Sequence, residues 1–275
     1  MRTPAAASDL TALAARLRAA VVETSGRAGV PHLGSCLSCV DVLVALYGAV
    51  LRVDPARPDD PARDRFILSK GHAAPALFQV LAAQGFFPAA WLEDYGADGT
   101  LLGEHPPAHG VPGVEAATGS LGHGLPVGVG MAYGARLLGL PSRTYVLLGD
   151  GECNEGSVWE AAMTAAAQRL GSLTAVVDFN GWQATGRSRE VLALDPLVEK
   201  WAAFGWDAAP VDGHDLPALL QALSRPADGS GRPRALIART VKGKGVSFME
   251  DDNNWHYRTP TPDEIARAKR ELGVA

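Results

Sequence analysis

The pattern of apolar and polar positions changes period twice between residues 144 and 182. Residues 144–148, TYVLL, are an unbroken β-branched and apolar run, as in a strand buried on both faces, and Gly149-Asp150-Gly151 closes it in a tight turn. Over residues 155–170 the apolar positions recur every three or four residues: Val158, Ala161, Ala162, Ala165, Ala166 and Leu170. That spacing predicts an amphipathic helix, with Gly171 as its C′ stop. Residues 173–179, LTAVVDF, return to a strand pattern, ended by Asn180-Gly181. A strand, a crossover helix and a second strand must be parallel, so both strand ends emerge on one sheet edge.

The same reading extends along the chain. Leu10, Leu13, Ala14, Leu17, Ala20 and Val21 predict a helix over residues 9–24, broken at the glycines and proline of 26–31. A second helix is expected over 38–50. RFILSKGHA, 65–73, reads as strand, turn and helix start, with the helix running to residue 84. Residues 86–103 carry no clear period. Residues 103–125 are rich in Gly and Pro and predict a long ordered loop, which in a compact domain usually serves function. A helix is expected over 125–138. The polar stretch 183–189 reads as mobile. A helix over 197–204 and a strand over 206–211 follow, and Asp212-Gly213-His214-Asp215 caps a helix over 216–223. Residues 225–233 read as a surface loop, 235–241 as the last strand, and 263–272 as a final helix started by Thr261-Pro262-Asp263-Glu264. Alternating strands and helices predict an α/β fold: a mostly parallel sheet with helices on both faces, as one domain over residues 1–275.

Composition narrows the function. The 275 residues carry 25 basic and 30 acidic side chains, net charge −5, with no basic stripe, which argues against nucleic acid or an acidic membrane as partner. No apolar run approaches a membrane span and no signal peptide is visible, so a cytoplasmic location is expected. Cys36 and Cys39 have CxxC spacing but no second pair accompanies them, and with Cys153 they read as small apolar residues.

Candidate chemistry collects at the predicted sheet edge. Asp150 and Asn180 lie just past neighbouring strand ends, and strands lie about 5 Å apart. One carboxylate and one amide oxygen make a hard, oxygen-only site suited to Mg²⁺, which fills its octahedron with phosphate and water. The first turn of the following helix offers free N–H groups to the same phosphates. No nucleophile stands in a motif with a base. Histidines instead gather in loops: His32, His72, His105 and His256, with His109 and His123 nearby in sequence. Histidine suits proton handling at neutral pH.

GDG closing a strand, followed by a helix and a strand ending in Asn thirty positions after the Asp, resembles the thiamine-diphosphate motif. With HLG at 32–34, SKGH at 69–72, the EHP and PGVE elements at 104–115 and a late His256, nearly the whole chain is similar to the N-terminal, diphosphate-binding region of the transketolases. The resemblance implies that Asp150, Asn180 and the Trp182 backbone carbonyl hold Mg²⁺ (or Ca²⁺ or Mn²⁺). It implies that His72, Gly151, Asn180 and His256 contact the diphosphate, that Gly119 and Leu121 contact the aminopyrimidine, and that His32 and His105 face the sugar. Glu155 resembles a buried glutamate coupling two active sites across a dimer.

Three positions depart from the family pattern: Pro31 and Glu104 stand where Gly is usual, and His123 replaces a Gln. The pyrimidine-binding and C-terminal domains of a full transketolase are expected on another chain. The resemblance thus implies the N-terminal subunit of a split, thiamine-diphosphate-dependent transketolase. It would move a two-carbon ketol unit from a sugar or sugar phosphate to an aldehyde, in a heterotetramer with two copies of a C-terminal subunit. Two alternatives stand beside it: ketol transfer to a lipoyl, carrier-bound or other specialised acceptor, and a non-catalytic cofactor-binding or regulatory subunit.

Overall fold

The computed structural model describes residues 7–226 and 228–274. Chain order is α1 (Ala7–Ala28), α2 (Leu33–Ser38), α3 (Val40–Ala45), β1 (Arg65–Leu68), α4 (Ala74–Gln84), α5 (Gly124–Leu137), β2 (Thr144–Gly149), α6 (Gly156–Ala167), β3 (Leu173–Phe179), α7 (Ser188–Val191), α8 (Leu197–Ala203), β4 (Asp207–Asp212), α9 (Leu216–Ser224), β5 (Arg234–Arg239) and α10 (Pro262–Glu271). The five strands form one sheet in the order β1-β2-β3-β5-β4, and every pair is parallel. All strand C-termini therefore share an edge.

Side chains alternate across the sheet with period two. Phe66, Leu68, Tyr145, Leu147, Val176, Leu236 and Ala238 enter one core with α1 to α4 and α9. Ile67, Val146, Leu148, Ala175, Val177, Ala235 and Ile237 enter the other with α5, α6 and α8. Covered faces explain why these strands read as continuous apolar runs. Pro210 sits in β4, an edge strand, where a missing N–H costs no ladder bond.

Several boundaries differ from expectation. α1 runs through Gly26 to Ala28, where Ile265 of α10 packs on it, and stops at Gly29, φ 67°. The second helix begins at Leu33 because His32, at φ 71°, turns the chain directly into it; Cys39 interrupts it, and Leu46–Val50 closes it as a π turn. α6 ends at Ala167, and its left-handed stop is Arg169, φ 50°, not Gly171. The cause is Leu170, whose N–H bonds the Ala165 carbonyl at 3.1 Å while its side chain enters the core at 1% exposure. α10 has its expected start: Thr261 and Glu264 form a reciprocal capping box. The surface loop 225–233 includes Ala227, which lies outside the described residues.

The long stretch between Asp94 and Gly124 contains no helix or strand, yet it is tied down. Glu115 accepts from Arg63 and Arg65, and Thr118 Oγ1 donates to the Leu68 carbonyl at 2.6 Å. These bonds hold the loop against the end of β1.

Candidate active site

Asp150 is the first residue after β2 and is 2% exposed. Its Oδ1 accepts from Gly151 N at 2.9 Å; its Oδ2 accepts from Gly181 N at 2.9 Å and Ser188 Oγ at 2.8 Å. One carboxylate thus laces the ends of β2 and β3 to α7. Burial pushes it up to about 6 against the Ser188 hydrogen bond, and the Asp178 charge pushes the same way. A nearby cation would relieve that penalty. Asn180 is also buried, with Oδ1 on Trp182 N at 3.0 Å and Nδ2 on Asp178 at 3.3 Å. Among the described residues no three His, Cys, Asp or Glu cluster as a metal site, and the hard side-chain oxygens at this edge are the Asp150 carboxylate and the Asn180 amide. That chemistry fits a Mg²⁺ that brings phosphate and water ligands of its own.

The segment expected to be mobile, 183–189, is held at several points. Trp182 and Arg187 form a backbone bridge, and Gln183 N donates to the Gly186 carbonyl at 2.8 Å. The Arg187 guanidinium lies 3.7 Å over the Trp182 ring, and both side chains bond Asp251. Polarity here reflects a network, not freedom.

Glu155 is exposed on this chain, and the buried glutamate is Glu152, at 1% exposure. Glu155 ends a short 3₁₀ turn, Gly151–Asn154, with extended backbone that turns its side chain outward. Burial of Glu155 would require a second chain. Glu152 accepts from Ser69 Oγ, from Gly122 N at 2.8 Å and from Gly149 N at 3.1 Å.

Beneath the edge lies a buried ion pair. Lys70 donates to Asp178 and, at 2.9 Å, to the Ser35 carbonyl. Asp178 also accepts from Ser38 Oγ at 2.6 Å and from Thr240 Oγ1. Burial alone would raise the Asp178 carboxyl, but the Lys70 cation and these hydrogen bonds hold it below the usual carboxylate range.

The four expected histidines come together. His32 lies 5.4 Å from His72, 6.4 Å from His105 and 5.0 Å from His256, ring centre to ring centre. His32 N donates to the His256 carbonyl at 2.7 Å, joining the two ends of the chain. A Cβ on Gly119 would lie 2.8 Å from His105 Cδ2, so the small residue lets that ring rest on the loop backbone. Burial lowers His32 to about 4 and His256 to about 3, with neighbouring cations adding to it, and it lowers His72 in the same direction. These three rings are uncharged at neutral pH. His109 and His123 are exposed; His123 Nδ1 bonds the Leu121 carbonyl at 3.1 Å, so the departure at 123 points toward solvent. Leu121 is exposed too, at 36%.

Lys242 completes the edge. It is fully buried, donates to Asn253 Oδ1 at 2.7 Å and meets His256 Nδ1 at 3.1 Å. It forms no ion pair among the described residues. Burial lowers it to about 8, with the Lys70 cation adding to that and the Asp150 and Asp178 charges opposing it. A buried cation short of a carboxylate partner is suited to a bound anion. Gln183 Nε2 is likewise buried without a hydrogen-bond partner among the described residues, and its side chain packs against Gly151.

The family description "Transketolase, thiamine diphosphate binding domain" matches residues 10–275. The chain belongs to the transketolase family. It is 42% identical over 255 residues to one subunit of the apulose-4-phosphate transketolase of Phocaeicola vulgatus, covering 93% of this chain and 90% of that one. It is 41% identical over 264 residues to a 6-deoxy-6-sulfo-D-fructose transketolase subunit of Clostridium sp., covering 96% of each. The transketolase structure from Campylobacter jejuni superposes with a TM-score of 0.92 at 27% identity, over 98% of this chain and 43% of that one. The parallel sheet with helices on both faces is thus the transketolase N-terminal fold, and the chain carries its thiamine-diphosphate-binding domain.

Sequence reasoning missed Lys70, Glu152, Asp178, Gln183, Ser188 and Lys242. Two left a signal. Asp178 is a carboxylate inside the apolar run LTAVVDF, where burial obliges it to find a partner, and Lys242 opens KGKG just past the last strand. Ser188 left none, because its partner Asp150 comes from another loop, and Gln183 left none either.

Proposed function

We propose that this chain is the diphosphate-binding subunit of a two-chain transketolase, moving a two-carbon ketol unit from a ketose or ketose phosphate to an aldehyde. The observation that carries the reading is the meeting of uncharged His32, His72 and His256 with the buried cation of Lys242, at the sheet edge that also bears Asp150 and Asn180. Asp150, Asn180 and the Trp182 backbone carbonyl hold Mg²⁺; Ca²⁺ or Mn²⁺ suits the same oxygens. Lys242, His72, His256, Gly151 and Asn180 face the diphosphate, and Gly119 and Leu121 face the aminopyrimidine. Bound thiamine diphosphate supplies the carbon nucleophile for cleaving and remaking the ketose carbon–carbon bond. His32 and His105 lie on the sugar side, where a neutral ring can take a hydroxyl proton and return it.

The whole chain is one diphosphate-binding domain in this reading. A C-terminal partner chain supplies the pyrimidine-binding and C-terminal domains, two copies of each chain assemble in the cytoplasm, and neither nucleic acid nor membrane takes part. The relatives named as subunits, matched over nearly their full length, support it. So do the exposed Glu155 and the apolar Leu137 at the end of α5, Leu138 just past it and Met163 on α6, at 69%, 75% and 53% exposure. Among the described residues no helix is long and apolar enough to cross a membrane.

The test is reconstitution. Ketol transfer from a common ketose phosphate, with thiamine diphosphate and Mg²⁺, is assayed for this chain alone and with the partner chain encoded beside it. Turnover is expected only from the pair. Robust turnover by this chain alone would refute the two-chain reading.

A further inference from the structure

The turn Asp212-Gly213-His214-Asp215 does more than start α9. Asp215 caps that helix by accepting from Ala218 N at 3.1 Å. Gly213 N donates to the Arg239 carbonyl at 2.8 Å, and a Cβ on Gly213 would lie 2.4 Å from Thr240 Cγ2. Only glycine lets the turn come this near the exit of β5. His214 then reaches beneath that exit, where its Nε2 meets the Val241 backbone N–H at 2.8 Å and its Nδ1 meets Asp41 Oδ2 at 2.7 Å. Asp41 is buried on α3 and held from behind by Arg18 of α1, at 3.1 and 2.5 Å.

The donors fix the tautomer. A backbone N–H only donates, so Nε2 must be the bare acceptor and Nδ1 must carry the proton toward Asp41. An imidazolium would set N–H against N–H. Arg18, Asp41 and His214 therefore form a strut, buried at Arg18 and Asp41 and partly exposed at His214, that ends on Val241, the residue before Lys242. The rest of this exit is pinned by Thr240 N on the Phe179 carbonyl at 3.1 Å, Thr240 Oγ1 on Asp178, Gly243 N on the Gly34 carbonyl at 2.9 Å, and Asp251 N on the Lys242 carbonyl at 2.8 Å. Val241, next to Lys242, is the position whose N–H is held by His214.

We infer that His214 is a positioning residue: the Arg18–Asp41–His214 strut, through the Val241 N–H, sets the buried Lys242 ammonium for an anionic diphosphate. This rests on the reading of Lys242 given above. The Lys242 stem is fully buried and packs against Gly34, where a Cβ would lie 2.9 Å from its Cγ, so it has little room to re-extend and a shift of its backbone moves the ammonium away from a fixed anion.

The test uses the full chain, with inorganic pyrophosphate and Mg²⁺ as the probe, titrated by calorimetry. Lys242→Met is expected to weaken binding about tenfold or more, as loss of a hydrogen-bonded charge does. His214→Phe, which keeps the ring and loses both bonds, is expected to weaken it about five- to tenfold in the wild-type background and not at all in the Lys242→Met background. Unchanged binding in Lys242→Met would overturn both the diphosphate reading and this role. Weakening in Lys242→Met with none in His214→Phe would overturn this role alone, as would equal weakening by His214→Phe in both backgrounds. Should His214→Phe fold poorly, ¹⁵N–¹H imidazole spectra of the wild-type chain decide: a protonated Nδ1 with a bare Nε2 is expected at His214, and the opposite tautomer would overturn the strut.

Discussion

Lys70, two residues past the end of β1, donates to Asp178 of β3, and β2 lies between those strands. The pair is fully enclosed, with side-chain exposures of 1% and 0%. A lysine that spans a strand to reach its carboxylate joins the SKGH turn to the floor beneath Asn180. Loss of one partner leaves the other charge buried and unpaired. Lys70→Met is therefore expected to destabilise the chain by about 3–5 kcal/mol. Urea unfolding at pH 7 measures this; a loss below about 1 kcal/mol would show that water reaches Asp178.

The histidine cluster makes stability sensitive to acid. His32 and His256 have folded values lowered to about 4 and about 3 from an ordinary 6.5, chiefly by burial. Between 6.5 and those values the unfolded chain binds more protons than the folded one, so stability falls as pH falls. Above 6.5 both states are neutral and the effect vanishes. The Asp150 carboxyl, raised to about 6, binds protons in the folded chain and opposes this fall below about pH 6. The histidine share is therefore read from the variant: between pH 6.5 and 4 the urea midpoint of His32→Asn is expected to change with a different slope, losing less than the wild-type chain. A slope unchanged by the substitution would locate the acid sensitivity elsewhere.

Asp150→Ala is expected to abolish Mg²⁺-dependent binding of thiamine diphosphate in the assembled enzyme, because it removes the one carboxylate of the proposed donor set. It also strips a partner from the Gly181 N–H and Ser188 hydroxyl, so stability should fall by about 1–3 kcal/mol. Calorimetry with and without Mg²⁺, beside thermal unfolding, separates the two effects. Retained Mg²⁺ dependence would remove the main support for the metal site.

The elements were legible because each core-facing residue leaves a periodic mark. Thr144–Gly149 and Leu173–Phe179 lie where their apolar runs placed them, and parallel pairing brings Asp150 and Asn180 to one edge. The histidine loops could be read as a group because several stand beside turn-forming Gly or Pro. Bonds between segments distant in the chain leave no such mark. Ser38 and Asp178 are 140 residues apart in the chain, and Ser188 meets Asp150 across 38. The polarity of 183–189 was consistent with either a free loop or a knotted one, and Asp251 decided it. Glu155 and Glu152 differ by three positions, and the 3₁₀ turn between the strand and α6 sends one out and the other in.

His32→Ala and His105→Ala should each lower turnover of the assembled enzyme by about 10²-fold or more if the ring transfers a proton. Cofactor affinity should change little, since both are assigned to the sugar side. Steady-state rates and cofactor titration test the split. Wild-type rates in both variants would reduce these rings to packing, despite the 6.4 Å that separates them.

Glu152 offers the sharpest separation of organisation from chemistry. Its carboxylate receives Ser69 Oγ from the turn after β1, Gly122 N from the loop before α5, and Gly149 N from the end of β2. Those three segments lead to His72, to Gly119 and Leu121, and to Asp150. Burial pushes the carboxyl up, and the three donors oppose that, Ser69 foremost. Glu152→Ala would leave two backbone N–H groups without acceptors, at a cost of about 1–3 kcal/mol each. Glu152→Gln retains one acceptor oxygen but turns an NH₂ group toward a donor, so it should be intermediate. The loops would lose their common anchor while every proposed cofactor contact remained in the sequence. Both variants should therefore weaken thiamine-diphosphate binding in the order Ala, then Gln, and raise hydrogen exchange at residues 119–124 in the cofactor-free chain. Exchange unchanged in Glu152→Ala would mean that the Gly71 and Gly119 backbones, packed so that a Cβ on Gly71 would lie 2.6 Å from Gly119 N, hold that loop without the carboxylate.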